Sequence, residues 1–527
     1  MLLRRLVSLR SAVRRAGPAA LTPLLALPLL AGAGPARAIE TVRLRLPLLQ
    51  TDFVVKVSEL ADPQRLLAGN SDLAELDRAM GGTLGPRISE LFATPLPLQV
   101  KSVVQNSVGS PLLEQALLAV SALGQIDDLP PDADGSDIDE ALRRAAGGSG
   151  KITLLAFLQA LPGSTVRVDL EPALRSLKRL VRQQQAAINL AERLEPVPVA
   201  AALAAPGTVA PERLTAQVAV PHRKLPLDLV VLRPRGGGAS GSGGGGNGRL
   251  VVISHGLWDG PQNFEGWAGH LASHGYTVVL PLHPGSDHRQ QQAMLSGKAA
   301  PPSPQELLDR PLDITALLNA AQAGAIPALA GARTDRVVAI GHSWGATTVL
   351  QLAAVRPATD ALQRQCPNLK DPDRNMSWVL QCSFLRAADK GALADPRVIA
   401  VAAVSPPLRL IFDHGASSRM TARGLLVSGS HDWVVPPVPE ALEPFATATD
   451  LGNQLVLVKG GDHFNLRGPA AAGGGPLRAL LLAWSEAAFA AGDRVRPTPG
   501  AAPLLAPGAW GDAELPLVPV SRATAGR

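Results

Sequence analysis

What most constrains this chain is an alternation that begins after residue 211. Eight short runs rich in Val, Ile and Leu follow one another, and helix-like segments separate most of the later ones: A-Q-V-A-V, L-D-L-V-V-L, R-L-V-V-I-S, Y-T-V-V-L-P, D-R-V-V-A-I-G, R-V-I-A-V-A-A-V, R-G-L-L-V-S-G and Q-L-V-L-V-K-G. A run that is apolar at nearly every position has no face to give to water, so it belongs in a sheet covered on both sides. The helices between the runs supply those covers and the crossovers that parallel strands need. Residues 212–494 are therefore expected to be an α/β domain, a mostly parallel sheet with helices on both faces. The Gly/Ser tract Gly236 to Gly248 lies between two runs and reads as a flexible hairpin loop rather than a domain boundary.

Upstream the period changes. Residues 41–57 alternate apolar and polar side chains as a short hairpin does, and the segments that follow repeat apolar residues three and four apart between Gly and Pro. Residues 39–170 are thus expected to be a small, mostly helical domain with a short hairpin. A linker, 171–211, opens with an amphipathic helix that sets Leu174, Leu177, Val181, Ile188 and Leu194 on one side and Arg175, Lys178 and Arg182 on another, a pattern read as a solvated linker face. At the other end Pro497, Pro499, Pro503 and Pro507 interrupt any periodicity, so 495–527 is expected to be a disordered tail.

Residues 1–38 hold six arginines and no acidic residue, then an apolar stretch, then A-R-A at Ala36 to Ala38, the layout of a signal peptide cleaved after Ala38. This predicts export to the periplasm or the exterior. The competing reading is an uncleaved membrane anchor, since the stretch from Ala16 to Ala36 is uncharged, although Pro18, Pro23 and Pro28 disfavour a spanning helix. The whole chain has 50 basic and 44 acidic residues, a net charge of +6; without the leader the two counts are equal. With aromatic residues at only 3%, that leaves no basis for a nucleic-acid partner.

The chemistry-bearing motif is G-H-S-W-G at Gly341 to Gly345, directly after the run D-R-V-V-A-I and directly before the helix-like A-T-T-V-L-Q-L-A-A-V. A sharp strand-to-helix turn exposes a serine hydroxyl at the carboxyl edge of a sheet, which makes Ser343 the candidate nucleophile. A serine needs a base, and the base needs an orienting acid. Two later runs lead into S-H-D-W-V-V-P-P, which offers Asp432, and G-D-H-F, which offers His463. His431 reads as a loop histidine, while Asp462 and Asp413 stay open as alternative acids. The oxyanion donors are expected to be the backbone N–H of Trp344 and, from S-H-G-L-W-D-G, that of Leu257, with Trp258 as the near alternative. His255 reads as a structural turn residue.

Other signals are weaker. G-S-G-K at Gly148 to Lys151 lacks the first glycine and the hydroxyl of a phosphate loop, because Ala145 and Ile152 stand there. The acidic residues Asp132, Asp134, Asp137, Asp139 and Glu140 read as a solvated loop, and His283, Asp287 and His288 as loop-shaping residues. No metal and no cofactor is expected.

V-V-I-S-H-G-L-W-D-G, then A-S-H-G-Y-T-V-V-L-P-L-H-P-G-S-D and G-H-S-W-G, resembles the α/β-hydrolases of the platelet-activating-factor acetylhydrolase and dienelactone hydrolase group. The likeness is closer to exported members with an extra helical N-terminal domain. It implies an α/β-hydrolase fold, Ser343, Asp432 and His463 as a catalytic triad, and a lipid or other lipophilic ester as substrate, with contact to a membrane surface compatible with that class. One departure is that the strand before last ends A-V-S-P-P, with no carboxylate where acetylhydrolases carry the acid. Cys366 and Cys382 lie in a polar insertion, 356–396, of the kind that caps a substrate site. The resemblance implies that these cysteines pair, and in an oxidising compartment the closed loop would contribute about 3 kcal/mol in the chain-entropy model; two free thiols are the alternative. The expectation is a serine carboxylesterase. A dienelactone-type or peptide-ester hydrolase, and a non-catalytic binding protein on the same fold, are the competing readings.

Overall fold

The computed structural model describes residues 38–45, 52–94, 124–127, 136–146, 152–235, 246–358, 360–368, 371, 373–387, 393–412, 415–506 and 508–526. The expected leader (apart from Ala38), G-S-G-K and Asp413 lie outside them, as do Asp132 and Asp134. Among the described residues no helix is long and apolar enough to cross a membrane.

The first strands are β1 (Thr41–Arg45), β2 (Asp52–Lys56), β3 (Gly124–Ile126) and β4 (Thr165–Asp169). β1 and β2 form the antiparallel hairpin that their alternation predicts. They are not an appendage on helices, however: β4 runs parallel to β1, β3 pairs antiparallel with β4, and the sheet order is β2-β1-β4-β3. Short helices such as Asp72–Ala79 and Leu154–Ala160 accompany this sheet, each N-capped by a hydroxyl side chain, Ser71 and Thr153. β3 and β4 thus join the expected hairpin in one sheet beside the helices of 39–170. T-V-R-V-D at Thr165 to Asp169 alternates clearly enough, but a parallel partner far upstream leaves no local trace.

The large sheet contains β5 (Pro211–Val218), β6 (Leu227–Pro234), β7 (Arg249–Ser254), β8 (Thr277–Pro281), β9 (Arg333–His342), β10 (Val398–Val404), β11 (Arg423–Gly429), β12 (Gln454–Val458) and β13 (Leu517–Val520). Its order is β13-β12-β11-β10-β9-β7-β8-β6-β5. Strands β7 to β12 are mutually parallel, and β5, β6 and β13 add antiparallel edges. Both faces are buried, as the apolar runs require. Val251, Ile253, Val338 and Ile340 face a core with the helices Glu265–Ser273 and Arg478–Ala490. Leu250, Val252, Val337 and Ala339 face the opposite one, with Glu306–Gln322 and Trp344–Leu352.

Chain direction reverses at β7. From β7 the chain steps outward to β8, then crosses back to β9 on the other side of β7. Loops leaving the carboxyl ends of β7 and β9 therefore part in opposite directions and leave a crevice, the usual place for a ligand in an open α/β sheet.

Three other expectations are revised. The Gly/Ser tract, of which 236–245 lie outside the described residues, stands between β6 and β7, and these two strands are not a hairpin, since β8 lies between them in the sheet. The tail is ordered: β13 pairs antiparallel with β12, Trp510 and Leu517 are buried, and Pro519 is accommodated because it stands on an edge strand. The prolines exclude a helix there and leave an edge strand open. The linker helix, Leu170–Arg193, exposes Leu177 and Val181 (54% and 53%) and buries Ala187 and Ala191 instead. Ala191 packs with Leu442, Phe445, Val518 and Val520 at the β12–β13 edge, so small residues mark the docked face.

Candidate active site

β9 ends in the turn that the motif predicts. Ser343 has φ 54° and ψ −118°, a conformation a non-glycine residue adopts only under constraint. The constraint is visible on both sides: the Ser343 N–H donates to the Val404 carbonyl at 2.9 Å, and Trp344 begins the helix Trp344–Leu352. A Cβ on Gly345 would overlap the Ser254 carbonyl oxygen at the end of β7, so the last glycine of the motif is needed for close packing.

The acid and the base meet. Asp432, fully buried in the loop after β11, accepts the Val434 and Val435 N–H groups through Oδ1 at 3.0 and 2.8 Å. Its Oδ2 accepts His463 Nδ1–H at 3.0 Å, which leaves Nε2 of His463 as the basic nitrogen. The competing acid is occupied elsewhere: Asp462 Oδ1 receives the Phe464 and Asn465 N–H groups at 2.7 and 2.8 Å and shapes the turn. His431 is an exposed loop residue. No hydrogen bond joins the Ser343 hydroxyl to His463 among the described residues, but the ring of His342, its neighbour in sequence, lies 4.8 Å from that of His463. Catalytic hydrogen bonds are often long before substrate binds.

The oxyanion candidates also separate. Trp258 N–H is committed to the Ser286 carbonyl at 2.7 Å, with Trp258 held at φ 57°, which removes it as a donor. That leaves Leu257 N–H in the loop after β7 and Trp344 N–H at the helix start, the first of the N-terminal amides that lack a partner inside a helix. The loop lies against Ser343: a Cβ on Gly256 would be 3.3 Å from Ser343 Cβ.

Part of the insertion packs against the residues after β7 and β9 through buried apolar side chains. Trp344 and Leu257 pack with Trp378, Phe384, Leu362 and Leu410, and the Trp344 and Phe384 rings are 4.3 Å apart. Cys366 and Cys382 are disulfide-bonded within it. Trp433 and Phe464, next to the acid and the base in sequence, are about half exposed (46% and 50%).

A buried polar network behind the oxyanion loop escaped sequence reasoning. Its trace was Glu306, Arg310 and Asp313, four and three residues apart on one face of the helix Glu306–Gln322. His283, just after β8, joins it: Nε2 meets the Ser254 hydroxyl at 2.9 Å and Nδ1 meets Asp313 Oδ2 at 2.7 Å. Arg223 binds both Asp313 and Glu306, at 2.6 and 2.8 Å. Burial pushes His283 down to about 4, so its ring is neutral, whereas hydrogen bonds from His222 and His283 outweigh burial and hold Asp313 ionised. Asp287 N-caps the helix His288–Leu295. His283 and Asp287 thus have internal partners.

No protein-family model matches the chain, and no curated protein gives a significant match.

Proposed function

We propose that this protein is an exported serine hydrolase of the α/β-hydrolase fold that cleaves carboxylic esters, lipid or other lipophilic esters being the preferred class. The observation that carries the reading is the Asp432–His463 hydrogen bond brought beside a serine on a strained strand-to-helix turn. The strand order, with the nucleophile after β9 and the oxyanion loop after β7 on either side of the switch point, supports the fold assignment. The half-exposed Trp433 and Phe464, next in sequence to Asp432 and His463, support a lipophilic substrate. The arginine-rich leader supports export.

In this reading Ser343 Oγ attacks the ester carbonyl carbon while His463 Nε2 takes the hydroxyl proton. The tetrahedral oxyanion is held by the Leu257 and Trp344 N–H groups. His463 returns the proton to the departing alcohol, leaving an acyl-enzyme. It then deprotonates a water that attacks the acyl carbon, and Ser343 recovers its proton as the carboxylic acid leaves. Asp432 keeps Nδ1 protonated throughout, so Nε2 always faces the reacting atoms.

The test is hydrolysis of short- and long-acyl nitrophenyl esters by the purified protein and by Ser343→Ala. The variant is expected to fall to background on every ester, with the wild type favouring longer chains. Equal rates for the two proteins would overturn the mechanism.

A further inference from the structure

The Gly256–Leu257 peptide is where the buried network and the oxyanion site meet. A peptide unit is rigid and trans, so its C=O and N–H point in opposite directions and move together. The C=O of this unit belongs to Gly256, and its N–H is the oxyanion donor of Leu257. Whatever grips the carbonyl therefore aims the donor.

Two groups grip it. His255 Nδ1 lies 2.7 Å from the Gly256 oxygen, and Arg310 Nη2 donates to the same oxygen at 3.2 Å. The tautomer of His255 follows from its other nitrogen. Nε2 accepts the His283 backbone N–H at 3.0 Å, so the single proton of a neutral ring is on Nδ1 and is donated to the Gly256 oxygen. Burial, with the Arg310 cation beside it, keeps His255 neutral. Arg310 is itself locked: Nη1 donates to the His255 carbonyl at 2.9 Å and Nε to Ser286 Oγ at 3.1 Å. Ser286 in turn donates to Glu306 at 2.7 Å, and its carbonyl holds Trp258 N–H. The guanidinium also lies 5.9 Å from the centre of the Trp344 ring, whose residue carries the other donor. Residues 255 and 310 are both almost fully buried, so these bonds are not shared with water.

We infer that Arg310 is a positioning residue for the oxyanion hole: from behind the loop, its cation and the His255 Nδ1–H fix and polarise the Gly256–Leu257 peptide so that Leu257 N–H faces the developing oxyanion. A charge-assisted hydrogen bond to a carbonyl draws electron density through the peptide and strengthens the N–H at its other end. The same bonds hold the peptide against flipping. This inference rests on the ester-hydrolase reading above.

The experiment compares wild type, Arg310→Met, Arg310→Lys and Ser343→Ala on a nitrophenyl ester. The three proteins that keep Ser343 are normalised to folded active sites by titration with a fluorophosphonate, Ser343→Ala is compared at equal protein concentration, and the affinity of the first three for phenylboronic acid, whose serine adduct is a tetrahedral anion, is measured alongside. Removing a whole oxyanion donor costs about 100- to 1000-fold in kcat, so a misaimed one is expected to cost about 10- to 100-fold in Arg310→Met. KM should stay within about threefold, boronate affinity should fall in step with kcat, and Arg310→Lys, which keeps charge and a donor, should recover part of both. Unchanged kcat per active site, or a loss confined to KM with boronate affinity intact, overturns the inference while leaving the hydrolase reading standing. Equal rates for wild type and Ser343→Ala overturn both. If Arg310→Met does not fold, His255→Phe decides in its place, since it fills the ring's space and removes the Nδ1–H donor from the Gly256 oxygen; the same fall in kcat and boronate affinity is expected, and an unchanged pair overturns the inference.

Discussion

His342 donates its Nε2–H to the backbone carbonyl of His463 at 2.9 Å, so the residue before Ser343, the proposed nucleophile, holds the loop that carries the proposed base. A carbonyl can only accept, which fixes the proton on Nε2, and burial pushes His342 well below the usual imidazole range and keeps it neutral. The variable position of the G-x-S-x-G motif is here a structural link between two functional loops.

His342→Leu is expected to lower kcat about tenfold, the scale of one lost hydrogen bond of about 1.4 kcal/mol, with little change in KM. His342→Gln, whose amide reaches where Nε2 was, should recover most of the loss. Steady-state kinetics of the two variants on one ester check this, and equal activity in both would mean that the link is dispensable.

Asp432→Asn should lower kcat about 10⁴-fold, the scale of a base left in the wrong tautomer. Asp462→Asn should lower stability slightly and leave the rate within about threefold, because that carboxylate binds two turn amides rather than the imidazole. A larger loss from the second variant would exchange the roles.

Acid should unfold this protein early. His255, His270, His283 and His342 are buried, and burial lowers all four, His270 and His283 to about 4. In the unfolded chain each titrates near about 6.5, so between that pH and about 4 the unfolded state binds more protons and stability falls as pH falls. Each such group contributes a slope of up to about 1.4 kcal/mol per pH unit in that window, and full stability is present above it. Urea unfolding as a function of pH reads the slope. His270→Gln, which keeps a donor for the Leu203 carbonyl, should reduce it by about one group's share, and an unchanged slope would exclude His270 from the acid response.

Removing residues 514–527 deletes β13 and uncovers the edge of β12. Leu517 and Val518 are fully buried and Val520 nearly so, each contributing about 2 kcal/mol of burial, and an open, apolar edge strand pairs with other chains. The truncated protein is expected to aggregate in size-exclusion chromatography under conditions where the full chain runs as a single species. A soluble, unchanged profile would count against the last strand as a structural element.

How much of this was legible depends on how local the signal is. The Val/Ile/Leu runs of β7 to β12 announced themselves because each is buried on both faces, and Ser343 because one strand, one turn and one helix lie within a few residues of it. Asp432 and His463 followed from the loops that such strands feed. β4 and β13 were missed for opposite reasons: β4 alternates but has a parallel partner more than a hundred residues upstream, and β13 carries a proline that only an edge position tolerates. Leu177 and Val181 are exposed, as a solvated linker face requires, but the docked face of that helix went unread because it is made of small residues, Ala187 and Ala191, which carry little hydrophobic signal. The Arg310 network was invisible because a buried cation is recognised by its partners, and these come from three separate stretches of chain.

The pairing of β13 with β12, and the packing of Ala191 against Val518 and Val520, also set a schedule for folding. A helix made in the first half of synthesis has to wait for residues near 520 before its docking surface exists, so the edge of the large sheet closes last. Contacts of such long range are slow to form and leave unfinished strands exposed meanwhile. Until nearly all of the chain has been made, β12 therefore offers an unpaired edge that a second chain could occupy in place of β13.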